Sequence, residues 1–277
     1  MALLEWDKTG EHFYETGVKN GVLYPYDKSN TDKPYSPGVA WNGLTSVSES
    51  PSGADENAIY ADNIKYLSLR GAEEFGATIE AYTYPDEWAA CDGSAMPVTG
   101  LIIGQQSRKM FGFCYRTEMG NDIDGDSYGY KLHLLYGCTA SPSERSYETI
   151  NDSPEAITFS WEITTIKQDI GTINDVTYKP VSVLTIDATK FINDGTKDAK
   201  LVNLEKALYG WTIPAFSATS AYAKDDYVIN TNKIYKAKAP ITAGAFTASD
   251  WDEVTADPSI PYLPKPAEVI AMLTPAS

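Results

Sequence analysis

Apolar and polar side chains alternate with a period of two in three separate segments, residues 74–82, 128–138 and 156–165. In the first of these, Phe75, Ala77, Ile79 and Ala81 alternate with Glu74, Thr78, Glu80 and Tyr82. Because successive side chains of a strand point to opposite faces of the sheet, this period is typical of strands that bury one face. Neither a GxGxxG motif nor a regular alternation of strands with helices is present to support a parallel α/β fold. The sequence therefore predicts a mainly β fold of antiparallel strands.

One amphipathic helix is predicted near the end of the long β region. Leu201, Leu204 and Leu208 have helical spacing, so they lie on one face. Asp198 before them is a favourable N-cap residue, and Gly210 after them is a favourable stop. Shorter helices are predicted at residues 86–92 and 267–273. The helices are few and short, so they are secondary to the β structure.

A long hairpin is predicted over residues 39–69. Residues 39–48 form the outgoing strand, residues 58–69 form the returning strand, and the polar stretch 49–57, ESPSGADEN, forms the exposed tip. A second pair of strands is predicted at residues 99–103 and 109–117.

The charge of the chain restricts its partners. It has 38 acidic and 22 basic residues, which give a formal net charge of −16. Such a surface repels phosphate, so nonspecific binding to nucleic acid is not expected. Three cysteines without a CxxC motif argue against a disulfide framework and fit a reducing compartment. No signal peptide and no apolar segment of about 20 residues is present, so we expect synthesis in the cytoplasm and no membrane partner.

The sequence has few residues suited to catalysis or metal binding. Its histidines are His12 and His133, and no GxSxG motif accompanies them. Asp122, Asp124 and Asp126 resemble the start of a calcium loop, but the required glycine and final acid are absent from their positions. A pair of catalytic carboxylates of the glycosidase type remains an open alternative, because among 38 acidic residues some are bound to lie close together. We predict no metal site, no cofactor and no catalytic set.

Several segments resemble the major tail tube protein of long-tailed, siphovirus-type bacteriophages. The main segments are residues 62–94, 100–138 and 156–165, with the motifs GYKLHLLYG and FSWEITT. The later segments LEKALYG and PYLPKPAEVIAML also look like the C-terminal pattern of that family. The resemblance covers roughly residues 1–210 and brings no catalytic residues with it.

The resemblance implies a β-sandwich or barrel flanked by a short helix. It also implies a structural, non-enzymatic virion protein whose six copies form a ring around a lumen, with the rings stacked into the tail tube. The implied partners are further copies of the chain and the tape measure, tail tip and terminator proteins, while genomic DNA passes through without specific binding. The implied location is the virion tail, after synthesis in the cytoplasm of the host bacterium.

Two sets of residues are candidates for these contacts. The candidates for lining the lumen are Glu74, Glu80 and Glu162, which lie on polar strand faces. Their alternative interpretation is an ordinary solvated sheet face. The candidates for contacts between rings, in the predicted hairpin tip, are Glu49, Ser50, Pro51, Ser52, Gly53, Asp55 and Glu56.

Residues 213–255 differ in composition and resemble the small chitin-binding type modules of carbohydrate-active enzymes. The matching residues are Tyr222, Asp226, Val228, Lys233, Tyr235, Ala237 and Trp251. In this chain Asp225 replaces the usual glycine, and Lys238 and Ala239 stand near the place of the usual exposed aromatic residues. The resemblance implies a three-stranded β module, which we expect to keep the fold even where sugar binding is lost.

Within this module, Tyr222, Tyr235 and Trp251 are candidate contacts to a host-surface glycan, and their alternative role is the mini-core. The predicted domains are the tube domain 1–210, the module 211–256 and a C-terminal arm 257–277 that returns to the tube domain. Since tail-like sequence resumes after the module, we expect an outward-projecting insertion with adjacent ends. The alternatives are a carbohydrate-binding protein that acts through the module, and a hydrolase targeted by it.

Overall fold

The computed structural model describes residues 3–53, 55–150, 152, 155–173, 176–193 and 195–274. The strands are β1 (Tyr14–Pro25), β2 (Val39–Trp41), β3 (Leu44–Glu49), β4 (Ser52–Gly53), β5 (Glu56–Ala61), β6 (Ile64–Arg70), β7 (Glu73–Glu74), β8 (Gly76–Ala81), β9 (Ala95–Val98), β10 (Leu101–Ile103), β11 (Phe111–Asn121), β12 (Gly125–Ala140), β13 (Phe159–Thr165), β14 (Thr172–Ile173), β15 (Val176–Thr177), β16 (Val183–Asp187), β17 (Ile192–Asn193), β18 (Thr196–Lys197), β19 (Tyr227–Asn230), β20 (Lys233–Ala237) and β21 (Trp251–Val254). The helices are α1 (Ala89–Asp92), α2 (Ala199–Tyr209) and α3 (Pro266–Leu273), and 3₁₀ turns occupy Asp86–Trp88, Ala188–Phe191 and Ala248–Asp250.

One antiparallel sheet organises the body of the protein. Its strand order is β2-β1-β11-β12-β13-β8-β3, and β16 pairs with an additional part of β12. The mainly β, antiparallel fold predicted from the two-residue period is therefore confirmed, with helices confined to short segments.

The sheet bends at Gly137. Residues before it pair with β16, and residues after it pair with β13. Gly137 has a φ of 60° and its carbonyl accepts a hydrogen bond from the Ile166 N–H at 2.9 Å. A Cβ at this position would lie 2.3 Å from the Ile166 carbonyl oxygen. Glycine therefore permits the close approach by which β13, β8 and β3 fold back as a second layer.

Two hydrophobic cores separate the layers. Between the two sheet layers, Trp88 packs against Trp41 and Trp161 with ring centroids 4.7 and 5.3 Å apart. The opposite face of β1, β11 and β12 is covered by α2 and α3, with Tyr24 and Leu204 in the shared core. Strands β1, β11 and β12 are thus buried on both faces over their central residues.

Helix α2 begins and ends where the sequence predicts. The Asp198 carboxylate accepts a hydrogen bond from the Lys200 N–H at 2.9 Å. Leu201, Leu204 and Leu208 are all fully buried against the sheet. The predicted C-terminal helix is also present, as α3.

The predicted long hairpin has a different pairing. Strand β3 pairs with β8, and residues 58–69 themselves contain most of a separate hairpin formed by β5 and β6. That hairpin turns at Asp62 and Asn63, whose φ angles of 51° and 65° suit a two-residue turn. The expectation that residues 49–57 form the tip is therefore wrong. Apart from Ala54, which lies outside the described residues, they belong to the outgoing arm.

The predicted pairing of residues 99–103 with 109–117 is also wrong. Strand β10 pairs with β9, in a small hairpin of its own. Strand β11 pairs with β1 and β12, because its residues 111–115 are apolar on both faces and belong between the two cores.

The C-terminal module forms the predicted three-stranded sheet, in the order β19-β20-β21. Thr231 and Asn232 make its turn, with φ angles of 51° and 59°. The chain enters and leaves the module at one place, because the Trp211 N–H lies 3.4 Å from the Ser259 carbonyl oxygen. This proximity is what an insertion between α2 and α3 requires.

Candidate assembly surfaces

Residues 56–70, here called the ribbon, form a two-stranded hairpin, and β5 and β6 pair with no other strand of the described residues. The register places Asn57 opposite Leu69, Ile59 opposite Leu67 and, beyond an irregularity in the register, Ala61 opposite Ile64, so this face is mainly apolar. The other face has Glu56 opposite Arg70, Ala58 opposite Ser68 and Tyr60 opposite Lys65. The ribbon is therefore amphipathic, with one apolar face and one polar face.

The apolar face of the ribbon is open to solvent. Ile64 is 63% exposed and Leu69 is 53% exposed, and every residue of β6 is exposed. An isolated two-stranded hairpin is at best marginally stable in water, because it has nothing on which to bury an apolar face. A ribbon of this kind is suited to packing against another molecule.

The predicted inter-ring residues lie at the root of the ribbon and along its outgoing arm. Ser50 donates its backbone N–H to the Gly76 carbonyl at 2.8 Å, and Ser52 and Gly53 pair with β7. Glu56 forms an ion pair with Lys65 on the polar face. Pro51 and Asp55 are exposed beside them. The sequence analysis did not include the apolar residues of the ribbon beyond Glu56, although the Asp62-Asn63 pair between two apolar runs indicates a hairpin turn.

Glu49 points into the mouth of the sandwich. Its carboxylate accepts a hydrogen bond from the Tyr115 hydroxyl at 2.6 Å and lies 3.5 Å from His133 Nδ1. The His133 ring stacks on Tyr115 with centroids 4.5 Å apart. On its other side, His133 Nε2 lies 3.0 Å from the Thr117 hydroxyl and 3.5 Å from Glu15. His133 is therefore a buried member of a polar cluster that joins β1, β3, β11 and β12.

Hydrogen bonding fixes the charge of the two carboxylates in this cluster. The interaction with His133, assisted by the Tyr115 hydroxyl and opposed by burial, lowers the pKa of Glu49. Burial tends to raise the pKa of Glu15, but hydrogen bonds from Lys131 and Thr117 outweigh it and the pKa is lowered. Burial, followed by the hydrogen bond to Glu49, raises the pKa of Tyr115. Both carboxylates are therefore held ionised.

The outer face of the β3-β8-β13 layer is acidic and hydroxylated. Glu80 lies opposite Ser46 and Ser160, and its carboxylate accepts a hydrogen bond from the Ser46 hydroxyl at 2.8 Å. Glu162 lies opposite Thr78 on the same face and is exposed. None of these three strands contains a lysine or arginine. The structure thus brings two of the three lumen candidates to one face.

Glu74, the third lumen candidate, lies on a different element. It belongs to β7 and pairs with Ser52 at the root of the ribbon. Glu74 and Glu162 both line a surface groove of about 350 Å³, together with Pro51 and Phe75. The acidic surface therefore continues from the sheet face to the root of the ribbon.

The three candidate glycan contacts of the module form its mini-core. Trp251 is only 3% exposed and packs with Val228 and Ala237. The Tyr222 ring lies edge-on to Trp251 at 5.2 Å. Tyr235 is half-buried in the same cluster. The mini-core interpretation fits this geometry, and a fully buried Trp251 ring is not available for stacking on a sugar.

The remaining polar candidates have structural partners. Asp122 accepts hydrogen bonds from the backbone N–H groups of Gly10 and His12 at 3.0 and 3.3 Å. Within the described parts of the chain, no three histidine, cysteine or acidic side chains are grouped so that they could hold a metal ion. None of the helices in those parts is long and apolar enough to cross a membrane.

The comparisons with known proteins include a weak similarity to a solved structure. No family model matches the chain, and no curated protein matches it. Among solved structures eight chains match. One belongs to the cryo-EM structure of an extracellular contractile injection system, the PVC sheath-tube complex in its extended state. It is 11% identical with a TM-score of 0.25, and the match covers 66% of this chain and 94% of that one. A similarity this weak assigns the chain to no family.

Proposed function

We propose that this chain is a structural virion protein that assembles as hexameric rings stacked into a phage tail tube. The observation that carries the proposal is the ribbon, whose apolar face is exposed in the single chain. Burying that face against another copy removes apolar surface from water, at about 25 cal/mol per Å². The ribbon extends from the sandwich by way of β4 and β7, so it is placed to reach a neighbouring copy.

The acidic sheet face supports an inward position in the ring. Six copies would place Glu80 and Glu162 on a common wall, with serine and threonine hydroxyls between them. Phosphate passing such a wall meets like charge and no basic residue from β3, β8 or β13. In this proposal the chain has no catalytic role, and DNA moves through without being held. The tape measure, tail tip and terminator proteins remain its proposed additional partners.

The placement of the module fits an outward decoration of the tube. It joins the body beside α2 and α3, which cover the sheet on the side away from the second sheet layer. Glycan binding by the module is the second candidate function, but the burial of Trp251 disfavours the three aromatic residues as its binding surface.

Paired variants of the ribbon test the assembly proposal. Ile59→Ser together with Leu67→Ser makes the apolar face polar, whereas Tyr60→Ser removes an exposed ring from the opposite face. We expect the double variant to stay folded, as exposed sites usually change stability by less than about 0.5 kcal/mol. Sedimentation velocity at increasing concentration should show large assemblies for the wild type and Tyr60→Ser, and monomers for the double variant. Equal assembly by all three proteins would overturn the role of the ribbon.

A further inference from the structure

A large cleft lies at the junction between the C-terminal module and the helical side of the body. Its volume is about 1030 Å³. Helix α2 and its following segment contribute Lys206 and Trp211, and the module contributes Lys224 and Tyr227. Lys33, Tyr222 and Tyr262 also line it. The cleft therefore combines three lysines with four aromatic rings, in a chain whose net charge is −16.

None of the three lysines is in direct contact with a carboxylate of the described residues, although Lys224 attracts Asp225 and Lys33 attracts Asp257 over longer distances. Among the described residues, none of Lys33, Lys206 and Lys224 takes part in a salt bridge. Lys33 Nζ instead lies 4.0 Å from the centre of the Tyr262 ring, and Lys206 Nζ lies 5.1 Å from that of Trp211. Contacts of this kind hold an ammonium group over a ring without cancelling its charge. The cleft thus keeps positive charge in defined positions.

The acidic side chains at the cleft are already engaged. Asp225 forms an ion pair with Lys236 at 2.8 Å, and this interaction lowers the pKa of Asp225. The Asp226 carboxylate accepts a hydrogen bond from the Ala223 N–H at 2.6 Å. Neither acid is therefore paired with the cleft lysines, which remain available to an anionic ligand.

The aromatic rings give the cleft an apolar wall. Trp211 and Tyr227 are half-buried, with centroids 5.8 Å apart and planes inclined by 68°. Half-buried rings of this size offer flat apolar surface on which the C–H face of a sugar ring can pack. By contrast, the surface groove lined by Lys238, Ala239 and Pro240 in the module has no aromatic side chain. The features suited to a saccharide are therefore at the junction and not on the module alone.

We propose that this junction cleft binds an anionic glycan, whose sugar ring packs on Trp211 and Tyr227 while its carboxylate or phosphate groups contact Lys206 and Lys224. A ligand of this cleft therefore needs both a sugar ring that can pack on the aromatic rings and a negative charge. The proposal does not depend on ring or tube assembly, because all the residues involved lie within one chain.

Calorimetric titration of the full chain with three probes tests the site. Hexagalacturonate supplies carboxylates, pentamannosyl phosphate supplies phosphate, and chitohexaose is neutral. We expect saturable binding of at least one anionic probe, weakened by added salt, and much weaker binding of chitohexaose. The two anionic probes distinguish a uronate-type glycan from a phosphorylated one. No binding of either anionic probe, or equal binding of chitohexaose, would overturn the proposal.

Matched variants locate the binding. Lys206→Gln combined with Lys224→Gln should weaken binding by about tenfold, and Trp211→Ala by about fivefold. The control is Lys28→Gln combined with Lys190→Gln, which removes the same charge from exposed sites outside the cleft. The lysine variants alter exposed side chains, so they test the site even where Trp211→Ala impairs folding. If the control pair weakened binding of the anionic probe equally, the probe would be attracted to the positive charges of the surface in general, which would contradict the proposed site.

Discussion

At the scale of single residues, the polar cluster around His133 links the sandwich to the root of the ribbon. Glu49 is the last residue of β3, and its carboxylate is held by Tyr115 and His133 from the neighbouring strands. The sequence showed a histidine opposite the apolar side of its strand, but not the two carboxylates beside it. Glu15 and Glu49 are distant in sequence, and they meet at His133 only because β1 and β3, which do not pair, pack close together in the sandwich.

Glu49→Gln should change the pH dependence of stability. The folded-state pKa of Glu49 is lowered from its ordinary value of 4.5, so its contribution is present above that pH. The contribution is lost as the pH falls through the lowered folded pKa. We expect the variant to be about 1 kcal/mol less stable at pH 7, a typical loss for a hydrogen bond to a partly exposed carboxylate. Urea unfolding across pH 3 to pH 7 measures this.

The matched control is Glu87→Gln, which alters an exposed carboxylate outside the cluster. It should leave the free energy of unfolding close to that of the wild type throughout. The difference between Glu49→Gln and the wild type should shrink towards pH 3. A difference that stays constant from pH 7 to pH 3 would mean that the Glu49 charge has no part in stability.

Gly137→Ala should destabilise the fold through the bend of the main sheet. The added Cβ would lie 2.3 Å from a backbone oxygen at a φ of 60°. We expect a loss of about 2 kcal/mol or more in the free energy of unfolding. Gly100→Ala is the control, because Gly100 also has a positive φ but nothing lies within 4 Å of its Cβ position. Similar losses of unfolding free energy for both variants would show that the bend does not depend on the absence of a side chain at Gly137.

At the level of helices, strands and turns, the sequence predicted those features that depend only on residues close together in the chain. Helix α2 has its cap at Asp198 and its buried leucines at the expected spacing. Thr231-Asn232 and Asp62-Asn63 form turns of the same kind, but for the hairpin that contains Asp62 and Asn63 the sequence predicted a tip at residues 49–57. For that hairpin, the prediction gave more weight to the polar stretch 49–57 than to the shorter Asp62-Asn63 pair, which is the stronger indication of a turn. Strand partners such as β3 with β8 could not be read from the sequence, because pairing over long separations depends on the whole sheet.

Deletion of the module tests its independence from the body. The two ends of the module lie close together, because the Trp211 N–H lies 3.4 Å from the Ser259 carbonyl oxygen. A short linker can therefore replace residues 212–258. We expect the shortened chain to keep the cooperative unfolding of the body, since the module has its own core around Trp251. Differential scanning calorimetry compares it with the full chain. Failure of the shortened chain to fold would show that the module belongs to the main core.

At the scale of the whole molecule, charge and apolar surface are separated in space. The β3-β8-β13 face presents Glu80 and Glu162, the ribbon presents an apolar strip, and the junction cleft collects lysines. A single chain gains nothing evident from this separation. A closed ring would place each surface in a different environment, with carboxylates on the lumen, ribbons between copies and the module outside.

Charge reversal on the acidic face tests its orientation in the assembly. Glu80→Lys with Glu162→Lys would convert twelve carboxylates of a six-copy wall into ammonium groups, two from each copy. Assembled tubes of this variant should retain double-stranded DNA in a salt-sensitive manner, whereas wild-type tubes should not. Asp32→Lys with Glu148→Lys, at exposed sites elsewhere, is the control. Equal retention by both variants would place Glu80 and Glu162 outside the lumen.

In the proposed function, the chain assembles into rings around a channel. The most direct test of this assembly is negative-stain electron microscopy of the purified protein at high concentration, with the Ile59→Ser, Leu67→Ser variant beside it. We predict six-fold rings or stacked tubes with a stain-filled central hole for the wild type, and isolated small particles for the variant. Uniform monomers of the wild type at every concentration, with no rings or tubes, would contradict the proposed assembly.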